Sequence, residues 1–168
     1  MCKFKTYKRN IESMGEQLTL AEISSVIQPV GLLYHPLFER KGKPSLDIAI
    51  DPNNGTIVYV NFILQDELIF PLEYTPTVIH CNLPFTLPEG ELTTKNYHYF
   101  TPAEFSIFIH QDSLWVLRND FVRSSLLGYY SMDGENGLLF QHDAFAGVVY
   151  KNINNLEMEQ LRISGYCI

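Results

Sequence analysis

Residues 18–30 read LTLAEISSVIQPV, and the fold class turns on how this stretch is taken. Thr19 followed three residues later by Glu22 has the pattern of a capping box, in which hydroxyl and carboxylate each satisfy an orphan backbone N–H. Leu20, Ile23, Val26 and Ile27 recur at helical spacing. Pro29, which lacks an N–H, stops such a helix near Gln28. The pattern therefore predicts a short helix ahead of the first strands.

Moving outward, SLDIAIDPNNGTIVYVNFIL at 45–64 holds two β-rich runs around an Asn-Gly turn. It predicts strands at 46–50 and 56–64, the second apolar on both faces and hence central or covered. QDE at 65–67 reads as the next turn and LIFPLEY as a third strand, demoted to an edge or bulge by Pro71. Prolines 71, 76, 84, 88 and 102 break the following segment into short extended pieces that stay apolar enough to pack across the molecule. A second helix is expected in YFTPAEFSIFIH: Thr101 as N-cap, Pro102 at the first helical position and Glu104 two residues on, with Phe105, Phe108 and Ile109 as its stripe. Residues 113–152 read as a meander of three to five strands. NINNLEMEQLRIS reads as a closing helix capped by Asn154 or Asn155. Strand runs separated from helices predict an α+β fold, with a mostly antiparallel, strongly curved sheet and two or three short helices.

The chain has 168 residues and a formal charge of -7, a length that predicts one domain over 1–168. Hydrophobic residues make up 46% and aromatic residues 13% of it, which argues against disorder. An acidic protein repels phosphate backbones, so nucleic acid is not an expected partner. The basic residues Lys3, Lys5, Lys8 and Arg9 precede any acid and read as a flexible arm over residues 1–10. No apolar run is long enough for a membrane span, and MCKFKTYKRN lacks an apolar signal core. Three cysteines at irregular spacing do not form a disulfide framework. Together these predict a cytoplasmic protein, or one inside the host cell if its source is viral. In that setting Asn54-Gly55-Thr56 is turn chemistry rather than a glycosylation site.

The chemistry-bearing residues are few. His80 and Cys81 are adjacent, but in a strand over 77–83 they point to opposite faces and cannot pair with each other. Cys2, once the initiator Met is removed, carries a thiol beside its own α-amine, the arrangement of an N-terminal nucleophile. His35, His80, His98, His110 and His142 show no metal-ligand spacing, and no phosphate-binding glycine loop or nucleophile elbow occurs. No metal or cofactor is therefore expected. Tyr97, Tyr99, Trp115, Tyr129 and Tyr130 lie near predicted strand ends, where a curved sheet could gather them into a ligand cup.

Acidity, abundant Tyr and the lack of a catalytic motif predict a small interaction module: an inhibitor, immunity-type protein or accessory subunit that binds another protein with a basic surface. A small-molecule-binding domain or barrel is the alternative. A cysteine-dependent hydrolase using Cys2 or Cys81 is the third reading. A homo-oligomer is compatible with all three.

Overall fold

A computed structural model describes residues 6–15, 17–122, 124 and 126–167. The chain is mostly β, 55% strand and 8% helical, in two mixed sheets that do not close into a barrel. This corrects the expected α+β class with two or three helices: the described residues contain one α-helix.

The first sheet contains β1 (Tyr7–Gly15), β2 (Leu18–Ser25), β3 (His35–Arg40), β4 (Lys43–Ile50), β5 (Ile57–Gln65) and β8 (His98–Pro102), in the order β1-β2-β5-β4-β3-β8. The second contains β6 (Glu67–Pro71), β7 (Thr77–His80), β9 (Phe105–His110), β10 (Ser113–Arg118), β11 (Leu126–Ser131), β12 (Asn136–Gln141), β13 (Ala144–Tyr150) and β14 (Gly165–Cys167). Their order is β14-β6-β9-β10-β13-β12-β11-β7. Helix α1 (Asn155–Ser164) closes the chain before β14.

Both stretches that cost the α+β reading are strands, for the same reason. In β2 the buried positions alternate: Thr19, Ala21 and Ile23 are fully enclosed, while Leu20 and Glu22 face the other way. Val26 and Ile27, which a helix would have buried, are 53% and 73% exposed. The Thr19 hydroxyl lies 2.6 Å from Ser164 Oγ and donates to the Gln160 carbonyl, so it caps nothing at its own end of the chain. In β9, Phe105 and Ile107 are buried at alternate positions, and Glu104 accepts from the Lys41 N–H instead of capping a first turn. A short helix gains little without docking. Here pairing on both sides offered each segment a full ladder as well as a buried face.

Other expectations hold. β4 and β5 form the hairpin around the Asn-Gly turn, and α1 begins where Asn154 and Glu157 make a reciprocal capping box. Of the meander expected over 113–152, β11, β12 and β13 are consecutive neighbours, whereas β10 lies between β9 and β13. β6 differs. Pro71 is its last residue, and Leu72 continues the bonding by donating to the Ile109 carbonyl, so β6 sits inside the sheet between β14 and β9. The basic stretch enters the first sheet from Tyr7 onward, and Lys3 and Lys5 lie outside the described residues.

The inner faces of the two sheets share one core. Ile48, Val60 and Phe62 come from the first sheet; Ile107, Val116 and Phe140 come from the second. Phe38 and Phe145 meet across it with ring centroids 4.5 Å apart. Polar ties reinforce the joint. Arg40 of β3 pairs with Glu67 of β6, both nearly enclosed, and Lys43 reaches the other Glu67 oxygen at 2.9 Å. Arg9 of β1 grips Glu157 of α1 through two 2.8 Å hydrogen bonds and also bonds Asn136. Residues 81–92 form neither helix nor strand. Leu83, Phe85 and Leu87 pack into the core, matching the expectation for the proline-broken segment.

Candidate functional site: the outer face of the first sheet

The outer faces of the two sheets are built differently. On the second, Trp115, Leu117, Leu127, Tyr129, Leu139 and Val149 form a separate buried cluster. Leu72, Phe108, Phe121 and Val122 pack against it, the last two from the 3-10 turn at Asn119–Phe121 and its continuation. On the first, the described outward residues from the middle of β5 (Tyr59, Asn61 and Ile63) are each partly exposed, although their neighbours Ser24 and Ala49 are buried.

That open face carries a side-chain network. Register places Asp47 of β4 opposite Asn61 of β5, and Asn61 opposite Glu22 of β2, so all three point outward in one row. The Asp47 carboxylate holds two groups: His35 Nδ1 at 2.9 Å and the Tyr59 hydroxyl, also at 2.9 Å. The Asn61 amide donates to Glu22 Oε2 at 2.8 Å in the orientation that satisfies both groups. Tyr97 sets its ring edge-on to His35 at 6.0 Å and to His98 at 4.4 Å. Burial, and then the Asp47 carboxylate, push the Tyr59 phenol pKa well above its ordinary value, so Tyr59 remains a donor.

With the Asp47 carboxylate accepting from Nδ1, the His35 ring is held in orientation. Such a carboxylate–imidazole pair can orient a base. Among the described residues, no Ser, Thr or Cys side chain hydrogen-bonds His35, so the partner that acyl transfer requires is not in place. No group of three His, Cys, Asp or Glu side chains suited to a metal ion occurs among the described residues. Apolar side chains surround the network: Leu20 and Leu37 half-buried, and Phe100 49% exposed. The face therefore combines hydrogen-bonded acids, an oriented histidine and apolar side chains.

The residues singled out in the sequence are scattered. His80, at the end of β7, is exposed on the second sheet's outer side, with its ring 5.5 Å from that of Tyr129. Cys81 packs toward the core, its N–H donating to the Tyr129 carbonyl, and burial raises its thiol pKa. No histidine hydrogen-bonds its sulfur among the described residues. Cys2 lies outside the described residues. Trp115 and Tyr129 share the outer cluster of the second sheet, whereas Tyr130 points the opposite way into the main core. Tyr97 belongs to the His35 network. Tyr99 lines a groove of about 460 Å³, with Tyr34, Phe38, Phe85, Phe145 and Arg118 among its walls.

His35, Asp47 and Tyr59 carried no sequence motif, being twelve residues apart in turn. One signal did exist. Once the strands around the Asn-Gly turn are paired, residues 47, 59 and 61 share one face by parity. The chain matches no model of a known protein family and no characterised protein.

Proposed function

We propose that the chain is a non-catalytic protein-binding module, and that the outer face of its first sheet meets a partner whose surface is basic. One observation carries this reading: the second sheet covers its outer face with its own side chains, and the first leaves a half-apolar, acid-bearing face open. Phe100 is exposed on this face and Leu20, Leu37 and Ile63 are partly so, and apolar ground rimmed by polar groups favours an interaction site. Glu12, Glu22 and Asp47 lie on that side with Lys8, so a basic partner is favoured locally as well as by the overall charge of -7.

The test is capture from the cells that make the protein, using wild type and an Ile63→Arg variant side by side. Ile63 lies in β5, in the middle of the first sheet, and its side chain is partly exposed on the open face. A stoichiometric partner held by the wild type and lost by the variant, at equal thermal stability, is expected. Equal retention by the variant, or no partner at all, contradicts the reading.

A second reading rests on the aromatic groove lined by Tyr99. Its volume of about 460 Å³ lies in the range of small-molecule sites. It predicts that Tyr99→Ala lowers affinity for a planar aromatic dye such as anilinonaphthalene sulfonate, whose sulfonate suits Arg118. An unchanged dye affinity removes this reading.

A further inference from the structure

We infer that the free edge of β1 is a strand-addition site for an extended peptide segment bearing basic side chains. This goes beyond the open-face reading: the two surfaces share β1 but use different atoms of it, backbone in one case and side chains in the other.

Four strands terminate the two sheets: β1 with nine residues, β8 with five, β7 with four and β14 with three. Edge strands expose a row of backbone N–H and C=O groups, and proteins blunt them by keeping them short or covering them. β1 is long, so the fate of its outward groups needs an account. In an antiparallel pair these groups belong to alternate residues. Ser13 identifies the set, because its N–H turns away from β2 and donates to Gln160 Oε1 of α1 at 2.8 Å. By alternation Ile11, Arg9 and Tyr7 turn their N–H and C=O groups the same way. β1 pairs with β2 alone, and no hydrogen bond among the described residues reaches the outward backbone groups of these three.

The uncapped stretch faces space of the right kind. A groove of about 580 Å³ runs along it, lined on one side by residues Tyr7 to Ile11 and on the other by the β11–β12 turn and the segment leading into α1. It thus begins where the Gln160 cap stops. Its length along β1 is about 14 Å, enough for five residues of an added strand.

Charge selects the occupant. The Arg9 guanidinium in this groove is already matched by Glu157 through both its oxygens. Lys8 points to the open face, since it pairs with Ser24 on that side. Asp133 and Glu135 on the far wall have no cationic partner among the described residues, so the groove presents net negative charge to an incoming strand. Val26, 53% exposed, stands at one end and offers apolar contact. An extended segment alternating basic and apolar residues satisfies all three features: ladder bonds to β1, cations toward Asp133 and Glu135, and an apolar side chain against Val26.

The test uses the acetylated, amidated peptide Val-Lys-Val-Lys-Val-Lys-Val, its glutamate counterpart, and versions of the lysine peptide N-methylated at alternate residues in each of the two registers. Affinity is read by fluorescence anisotropy and contact by amide hydrogen exchange. The lysine peptide is expected to bind roughly tenfold more tightly than the glutamate peptide and to slow exchange at the amides of Tyr7, Arg9 and Ile11. One N-methylated register loses binding while the other keeps it, because only one row of N–H groups faces β1. The double variant Asp133→Asn, Glu135→Gln, which keeps the turn's acceptors, loses most of the lysine preference. Binding by both methylated registers, protection elsewhere than β1, or no binding at millimolar peptide overturns the proposal. Amide protection at β1, the methylation register and the Asp133/Glu135 variant are independent of the open face, which offers side chains of Glu12, Glu22 and Asp47 rather than the β1 backbone.

Discussion

The two sheets share an inner core but treat their outer faces oppositely, and the contrast separates what holds the molecule together from what it can offer to a partner. The second sheet seals itself. Trp115, Leu117, Tyr129 and Leu139 are nearly or wholly enclosed on a side that an isolated sheet would leave wet. Room for this is made by missing side chains: a Cβ at Gly137 would overlap the Tyr129 ring, and a Cβ at Gly147 would overlap the Val116 carbonyl oxygen of the neighbouring strand. The first sheet spends its outer face on hydrogen bonds among His35, Asp47, Tyr59, Asn61 and Glu22, and leaves the surrounding leucines half-exposed. Burial on the sealed side contributes to folding. The same kind of residue on the open side contributes little until something covers it.

Four perturbations sharpen or break this contrast, in decreasing order of effect. Gly147→Val forces a branched side chain into backbone of β10 and is expected to prevent folding, seen as loss of the β-sheet circular-dichroism signal; a native-like spectrum would mean that β13 can shift away from β10. Glu67→Gln removes the carboxylate that joins the two sheets and leaves Arg40 buried without its anion. A loss of about 3 kcal/mol in urea unfolding is expected, and a loss below about 1 kcal/mol would show that water reaches the pair. Leu139→Ala on the sealed face should cost about 3 kcal/mol, whereas Leu20→Ala on the open face should cost under about 1 kcal/mol. Equal costs would erase the distinction between the faces.

The smallest effect is on pH dependence. Burial, with Tyr130 and Asp133 adding to it, pushes the Tyr7 phenol up to about 12 from its ordinary value of 10.0. The folded state then keeps a proton that the unfolded chain gives up. The resulting stabilisation is complete below pH 10 and is lost as pH rises toward 12. Tyr7→Phe should be less stable at neutral pH, through loss of the hydrogen bond to the Ile57 carbonyl, and should fall less steeply with pH in this window. An unchanged slope would assign the alkaline transition to other groups.

How much of this could be read in the chain depends on whether a segment's pattern was unique. The hairpin at 43–65 and helix α1 were legible, because the Asn-Gly turn and the Asn154–Glu157 box each have one stable reading. Thr19–Glu22 and Thr101–Glu104 also resemble helix starts, yet both segments equally satisfy strand alternation, and partners distant in sequence decided between them. Thr19 is enclosed by α1 residues more than a hundred positions away, information that no local window holds. The adjacency of His80 and Cys81 drew attention that strand parity then divided between two faces. The His35 network lay hidden for the opposite reason, since its members are far apart in sequence and become neighbours through register alone.

The central claim is that the first sheet's open face is covered when the protein is at work. Hydroxyl-radical footprinting of the protein purified with its native partner, compared with the protein alone, tests it most directly. The account predicts lowered oxidation at His35, Leu37, Tyr59 and Ile63 in the complex, with Trp115 and Leu139 unreactive in both states. Unchanged oxidation across the first sheet, with protection confined to the second sheet or to the aromatic groove at Tyr99, would contradict it.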